Sequence, residues 1–296
     1  MSFCSPSAKD EVKCFDDKDL LKIIQIYNKH VEKKISEKTK NKYNAINSKL
    51  KDILGNKNHF LWIDYISQYC SYTDSKILEN IADKRLMPKK PSEWYLNKTA
   101  WLSNFDIENI LEHYHRTKKF KYEFVGVFTV DFALKNEDGS CKFYRNKCVP
   151  DIPKNIKDGK KYLGIVTNLD RNDQSGSHWT SIFIVIDKDL PSYGIYYYDS
   201  VGSGIPSLIM IYLRETQKQL YKLTGKQCRI KSNKKQFQHS NTECGMFSIT
   251  YQISWLNKLL KNKNIIERDI LDEKIMNDQT MITYRDKYFA PRLVEK

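Results

Sequence analysis

Gln238-His239-Ser240-Asn241-Thr242-Glu243-Cys244-Gly245-Met246-Phe247 sets a thiol at a turn that runs directly into an apolar segment. From Gly245 onward the chain reads Met246, Phe247, Ile249, Tyr251, Ile253, Trp255, Leu256, Leu259 and Leu260. That density predicts a buried helix of about four turns. Cys244 then lies at the helix N-terminus, where unpaired backbone N–H groups and the positive end of the macrodipole favour the thiolate. Six positions upstream, Gln238 can fold back and offer its side-chain NH2 beside the Cys244 N–H, giving two donors for one developing oxyanion. A lone cysteine ahead of a helix also describes an inert core residue. The catalytic reading therefore requires a base and a group that orients it.

Both lie upstream. Gly176-Ser177-His178-Trp179-Thr180-Ser181-Ile182-Phe183-Ile184-Val185-Ile186-Asp187 and Gly194-Ile195-Tyr196-Tyr197-Tyr198-Asp199-Ser200 are each rich in β-branched and aromatic residues. The turn signal Pro191-Ser192-Tyr193-Gly194 between them predicts adjacent antiparallel strands. His178 opens the first strand and Asp199 closes the second, and in an antiparallel pair those two ends are neighbours. His239 is a rival base, but it sits beside Gln238 with no carboxylate partner.

The order His, Asp, Gln, Cys, carried by Ser177-His178-Trp179, Asp199-Ser200-Val201-Gly202 and Gln238 through Gly245, resembles the catalytic pattern of the SUMO-specific protease and adenovirus proteinase clan of cysteine proteases. In particular it resembles the polyprotein-processing branch found in African swine fever virus. Papain-like enzymes run the other way, Cys before His. Trp101-Leu102-Ser103-Asn104-Phe105-Asp106-Ile107 is similar to the Trp-Leu-x-Asp run that opens the SUMO-protease core. The motifs are specific in combination rather than singly.

That resemblance implies an α+β protease core, with a central mixed β-sheet flanked by helices. It implies a Cys244, His178 and Asp199 triad, an oxyanion hole completed by Gln238, and substrate contacts from Trp101, Trp179 and Asn104. The two tryptophans match a pair that flanks a narrow tunnel passing only a Gly-Gly backbone; ordinary core packing is the other reading of each. There are two departures. Asn104 stands where the opening run has Asp, and the viral branch carries an amide where this chain has Asp199. The expected function is a cysteine endopeptidase cleaving after Gly-Gly type sites and processing viral structural polyproteins during virion maturation. A deconjugase for SUMO or ubiquitin-like tags would use the same chemistry on a folded partner. An inactive scaffold or nucleic-acid-binding protein that kept the fold is the reading from another class.

With 296 residues the chain has room for a catalytic domain and a smaller companion. The Pro88-Lys89-Lys90-Pro91-Ser92 segment suggests the boundary, giving a helical N-terminal domain at 1–92 and a catalytic domain at 93–296. No apolar run is long enough to insert in a membrane, and Met1-Ser2-Phe3-Cys4-Ser5-Pro6 lacks the sections of a signal peptide. Seven scattered cysteines, odd in number, and a mechanism that needs a free thiol point to a reducing compartment: host cytoplasm and virion if the protein is viral. The net charge of +14 is spread, with 19 Lys and Arg against 13 Asp and Glu in residues 1–100 and 31 against 23 in the remainder. A nucleic-acid contact through that basic surface is one reading, and Lys-rich solvated faces another. No cofactor and no metal are expected. His113-x-His115 with Cys141 and Cys148 matches no zinc spacing, and Asp170-Arg171-Asn172-Asp173-Gln174-Ser175-Gly176 lacks the glycine position and closing Glu of a calcium loop. It reads instead as the turn presenting His178.

Along the first hundred residues the pattern is helical. A loose terminus over 1–14 precedes an acidic helix start at Asp16-Asp17-Lys18-Asp19, followed by Leu20, Leu21, Ile23, Ile24, Ile26, Tyr27, Val31 and Ile35. A second helix carries Tyr43, Ile46, Leu50, Ile53 and Leu54 and stops at Gly55-Asn56. Phe60, Leu61, Ile63, Tyr65 and Ile66 suggest a third, and Ile77, Leu78, Ile81 and Leu86 a fourth. Farther on, Trp101 to His115 predicts a helix with Phe105, Ile107, Ile110, Leu111 and Tyr114 inward, and strands are expected over 122–132 and 162–169, separated by a polar loop. Ser207 to Leu223 predicts a helix turning Leu208, Ile211, Tyr212, Leu220 and Leu223 inward, before a short strand at 227–231. One or two closing helices complete the chain, packed down by Phe289 and Leu293.

Overall fold

The computed structural model describes residues 4–6, 13–55 and 61–290. Most of the expected loose terminus, together with Asn56, Phe60 and Leu293, lies outside them. The chain divides into two compact units, Met1–Ser92 with Arg285–Lys296, and Glu93–Tyr284. The segment from Arg285 thus goes with the first unit, where Lys90 N–H donates to Ala290 O and Ala290 N–H to Pro88 O, both at 2.8 Å.

The first unit holds helices α1 (Asp17–His30), α2 (Lys42–Leu54), α3 (Trp62–Ser67) and α4 (Tyr72–Arg85). Short polar side chains start three of them: Asp16 accepts from the N–H groups of Lys18 and Asp19, Asn41 from that of Asn44, and Ser71 from that of Asp74. Gly55, at φ 76°, caps α2 where a side chain would be strained. The apolar stripes close on one core, with Ile23, Ile24, Ile46, Leu50, Trp62, Ile63 and Leu78 all buried.

In the second unit α5 (Asn104–Arg116) comes first, then β1 (Tyr122–Thr129), α6 (Ile152–Lys157), β2 (Tyr162–Asn168), β3 (Trp179–Val185) and β4 (Gly194–Tyr198). The order continues with α7 (Ser207–Thr224), β5 (Arg229–Ser232), α8 (Cys244–Lys261), α9 (Glu267–Ile270) and α10 (Asp278–Tyr288), whose residues from Arg285 on count with the first unit. The five strands form one sheet in sequence order. It is mixed: β1 and β2 pair parallel, β2, β3 and β4 antiparallel, and β4 and β5 parallel. Every residue of β2, β3 and β4 is buried, as strands covered on both faces require. One face takes α8, whose Trp255 stacks on Phe183 at 5.2 Å and whose Tyr251 stacks on Tyr198 at 4.4 Å. Ile182, Ile184 and Tyr197 belong to a second cluster with Ile209, Tyr212 and Leu213 of α7. This is the α+β architecture expected.

Three local expectations are corrected. Helix α5 begins at Asn104 rather than Trp101, because Ser103 and Asp106 form a reciprocal capping box there; Phe105 is then 68% exposed, not inward. In α7 the buried stripe is Ile209, Tyr212, Leu213, Thr216 and Leu220, so Ile211 and Leu223 face outward. The cysteines are less scattered than their numbering suggests: Cys4–Cys14 and Cys141–Cys148 are disulfides, leaving Cys70, Cys228 and Cys244 free. Cysteine count therefore carries no argument for a reducing compartment, and Cys141 and Cys148 are bonded to each other. The loop expected over 135–160 holds that disulfide and the short helix α6.

Candidate active site

Antiparallel pairing of β3 with β4, from Val185 opposite Gly194 to Ser181 opposite Tyr198, brings the residue before β3 beside the residue after β4. His178 Nε2 donates to Asp199 Oδ1 at 2.7 Å. Asp199 is fully buried and is fixed at the backbone as well as the side chain. Its N–H donates to Asn233 Oδ1 at 2.9 Å, its carbonyl accepts from Asn233 Nδ2 at 2.6 Å, and Val201 N–H reaches Oδ1 at 3.0 Å. The His178 side is fixed by the acid-rich turn before it. The Asp170 carboxylate accepts from Gly176 N–H and Ser177 Oγ, while Asn168 Oδ1 accepts from the N–H groups of Asp170 and Ser177.

With Nε2 held by Asp199, Nδ1 is the ring nitrogen left for Cys244. Burial pulls the imidazole toward neutrality, but hydrogen bonds to Asp199 and to Cys244 outweigh it and raise His178 from 6.5 to about 9. The protonated ring is the favoured form at neutral pH. Cys244 itself is buried and is the first residue of α8, so the unbonded N–H groups of that turn surround it. Gly245 is closely approached rather than strained in its backbone: a Cβ there would meet the Leu102 side chain at 3.1 Å, a tight contact that Leu102 would have to yield to. The same Leu102 accepts at its carbonyl from Trp179 Nε1 at 3.0 Å, tying the 101–104 stretch to the thiol's turn.

Gln238 is buried, with Nε2 donating to Ser240 O at 2.8 Å and Oε1 accepting from Ser200 Oγ at 2.6 Å. The Asp278 carboxylate accepts from the N–H groups of His239 and Ser240 and from Ser240 Oγ, holding the loop that joins Gln238 to Cys244. His239 is exposed. Trp101, Asn104 and Trp179 line a single groove of about 360 Å³, with Phe128, Tyr144 and Arg171 among its other walls. Tyr144 lies within the span closed by the Cys141–Cys148 disulfide, and its hydroxyl accepts from Thr129 N–H. The structure thus places His178 against Asp199 and Cys244, and Trp101, Asn104 and Trp179 around one groove. It adds Asn233, Asp278 and Tyr144, none of which stands in a local pattern, and gives a role to Ser200, which the Asp199-Ser200 motif contained without one. His113 is buried in α5, where burial and then Arg116 lower it to about 4. Among the described residues no group of three or more His, Cys, Asp or Glu is disposed to hold a metal ion.

A thiol, an imidazole and a carboxylate in series, on a mixed sheet backed by the thiol's own helix, define a cysteine protease. No protein-family model matches the chain. Its homologues are viral thiol and cysteine proteases. It is 26% identical over 271 residues to a protein of Acanthamoeba polyphaga mimivirus named as a thiol protease, covering 87% of this chain and 85% of the relative. It is also 26% identical over 188 residues to a SUMO-1 cysteine protease of African swine fever virus (isolate Pig/Kenya/KEN-50/1950), covering 62% of this chain and 68% of the relative. A crystal structure of the African swine fever virus protease has the same fold, with a TM-score of 0.59 and 19% identity over 98% of this chain and 96% of that one. No described helix is long and apolar enough to cross a membrane.

Proposed function

We propose that the chain is an endopeptidase that cleaves after Gly-Gly type sites and processes viral structural polyproteins as virions mature, in the host cytoplasm and the virion. The observation that carries this reading is the Cys244, His178 and Asp199 series beside a groove walled by Trp101 and Trp179. Cys244 Sγ attacks the scissile carbonyl carbon. The oxygen takes up the negative charge and is met by Gln238 Nε2 and the Cys244 N–H. His178 gives its proton to the departing amine, leaving a thioester on Cys244. The neutral ring then removes a proton from water, the resulting hydroxide attacks the thioester, and the thiolate leaves. Asp199 keeps the ring oriented and supports its charged form. A groove bounded by two indoles favours residues without side chains next to the scissile bond, and Asn104 at its rim contacts the substrate backbone.

A second reading, deconjugation of a ubiquitin-like tag, is favoured by the name of the African swine fever virus relative. It uses the same residues on a folded partner ending in Gly-Gly. A panel of Gly-Gly-X peptides, run beside SUMO and ubiquitin electrophilic probes, separates the two. Polyprotein processing predicts peptide cleavage with weak probe labelling, and deconjugation predicts the reverse. Undiminished cleavage by Cys244→Ala would eliminate both.

A further inference from the structure

We propose that Ser200 is a positioning residue for the reaction, holding the Gln238 carboxamide with its NH2 turned toward the substrate oxygen. The inference rests on the reading of Gln238 as an oxyanion donor. Ser200 is 1% exposed and sits immediately after Asp199, and its Oγ donates to Gln238 Oε1 at 2.6 Å. On the other edge of the carboxamide, Ser240 O can only accept, so the group 2.8 Å from it must be Nε2. The two contacts agree on one orientation. Reversing the amide would set Oε1 against a carbonyl oxygen and turn Ser200 Oγ from donor to acceptor. Only one of the two Nε2 protons is used by Ser240 O, which leaves the second for an anionic oxygen.

Ser200 also holds the backbone of the donor, since its carbonyl accepts from Phe237 N–H at 2.8 Å and Gln238 N–H at 2.9 Å. The turn that carries it is closed by Gly202 N–H to Asp199 O at 2.9 Å. Gly202, at φ 80°, would bring a Cβ to 2.9 Å of Lys234 O, so the turn lies directly against the segment leading to Gln238. One dipeptide, Asp199-Ser200, thus fixes the acid that supports the base and the amide that meets the oxyanion. A carboxamide without Ser200 retains one of its two hydrogen bonds, to Ser240 O, and holds its donor less firmly in place.

Steady-state kinetics on a Gly-Gly-Ala peptide test this, with iodoacetamide alkylation of Cys244 as the control, because alkylation develops no oxyanion. Ser200→Ala should lower kcat about tenfold or more with KM little changed, on the scale set by loss of one oxyanion donor. Alkylation should match wild type, and Ser200→Thr should restore kcat. Ser200→Ala combined with Gln238→Ala should be no slower than Gln238→Ala alone, since both remove the same aligned donor. If Ser200→Ala fails to fold, Ser200→Cys, a weak donor of similar size, should show the same loss. A kcat within twofold of wild type, or losses from the two variants that multiply, would overturn the assignment of Ser200 alone. Failure of the wild-type protein to cleave the peptide, with Cys244 still alkylated, would instead strike the Gly-Gly reading.

Discussion

At the scale of single residues, the site turns on what Asp199 does for His178. A raised imidazole value means the ion pair stabilises the fold fully below the ordinary value of 6.5 and loses that contribution as pH rises through about 9. The same proton is the one given to the leaving amine, so kcat/KM should fall on the alkaline side near pH 9. Replacing the carboxylate by an amide of the same shape keeps a hydrogen-bond acceptor but removes the charge. In Asp199→Asn the alkaline limb should therefore move down by about 1–3 pH units, as loss of a nearby opposite charge requires. A pH–rate profile of the two proteins checks this, and an unmoved limb would show that Asp199 does not support the imidazolium. The pairing of His178 with Asp199 was legible in the sequence because strand ends obey local rules. The roles of Ser200, Asn233 and Asp278 were not, since their partners lie 34 to 39 residues away and no periodicity marks a polar side chain that serves a loop.

At the scale of elements, two pieces position the thiol: helix α8 beneath it and the loop from Gln238 to Glu243 before it. The helix is fastened to the sheet by the stacked pair Phe183 and Trp255, both fully buried. Phe183→Ala removes that stack and leaves a cavity, which should cost about 3–5 kcal/mol of stability, measured by urea unfolding. The loop is held by Asp278, whose carboxylate takes three hydrogen bonds from His239 and Ser240. Asp278→Ala frees two backbone donors and should lower kcat/KM on the order of tenfold or more, while the urea midpoint shifts less than it does in Phe183→Ala. Equal kinetics in wild type and Asp278→Ala would mean that the loop needs no clamp. Element boundaries explain the errors of the sequence reading. The Ser103 and Asp106 box announces the start of α5, yet the apolar run beginning at Trp101 outweighed it. Helix α7 is apolar on more than one side, so only the sheet decides that Ile209 and Leu213 go inward and Ile211 does not.

At the scale of the whole molecule, periodicity carried most of the fold. Runs rich in β-branched and aromatic residues announced the central strands, and amphipathic repeats announced the helices of the first hundred residues. The cysteine pairings were hidden because spacing along the chain does not report proximity in space. The central claim is that one of three free thiols is set apart by an imidazole. Burial, with smaller effects from neighbouring groups, raises Cys70, and burial raises Cys228 to about 11, so neither competes as a nucleophile near neutral pH. The most direct test is to treat the protein at pH 7 with a Gly-Gly vinyl sulfone and map the adduct by mass spectrometry. The account predicts one adduct, on Cys244, formed on the order of a hundredfold more slowly in His178→Ala. An adduct on Cys70 or Cys228, or equal labelling rates with and without His178, would contradict it.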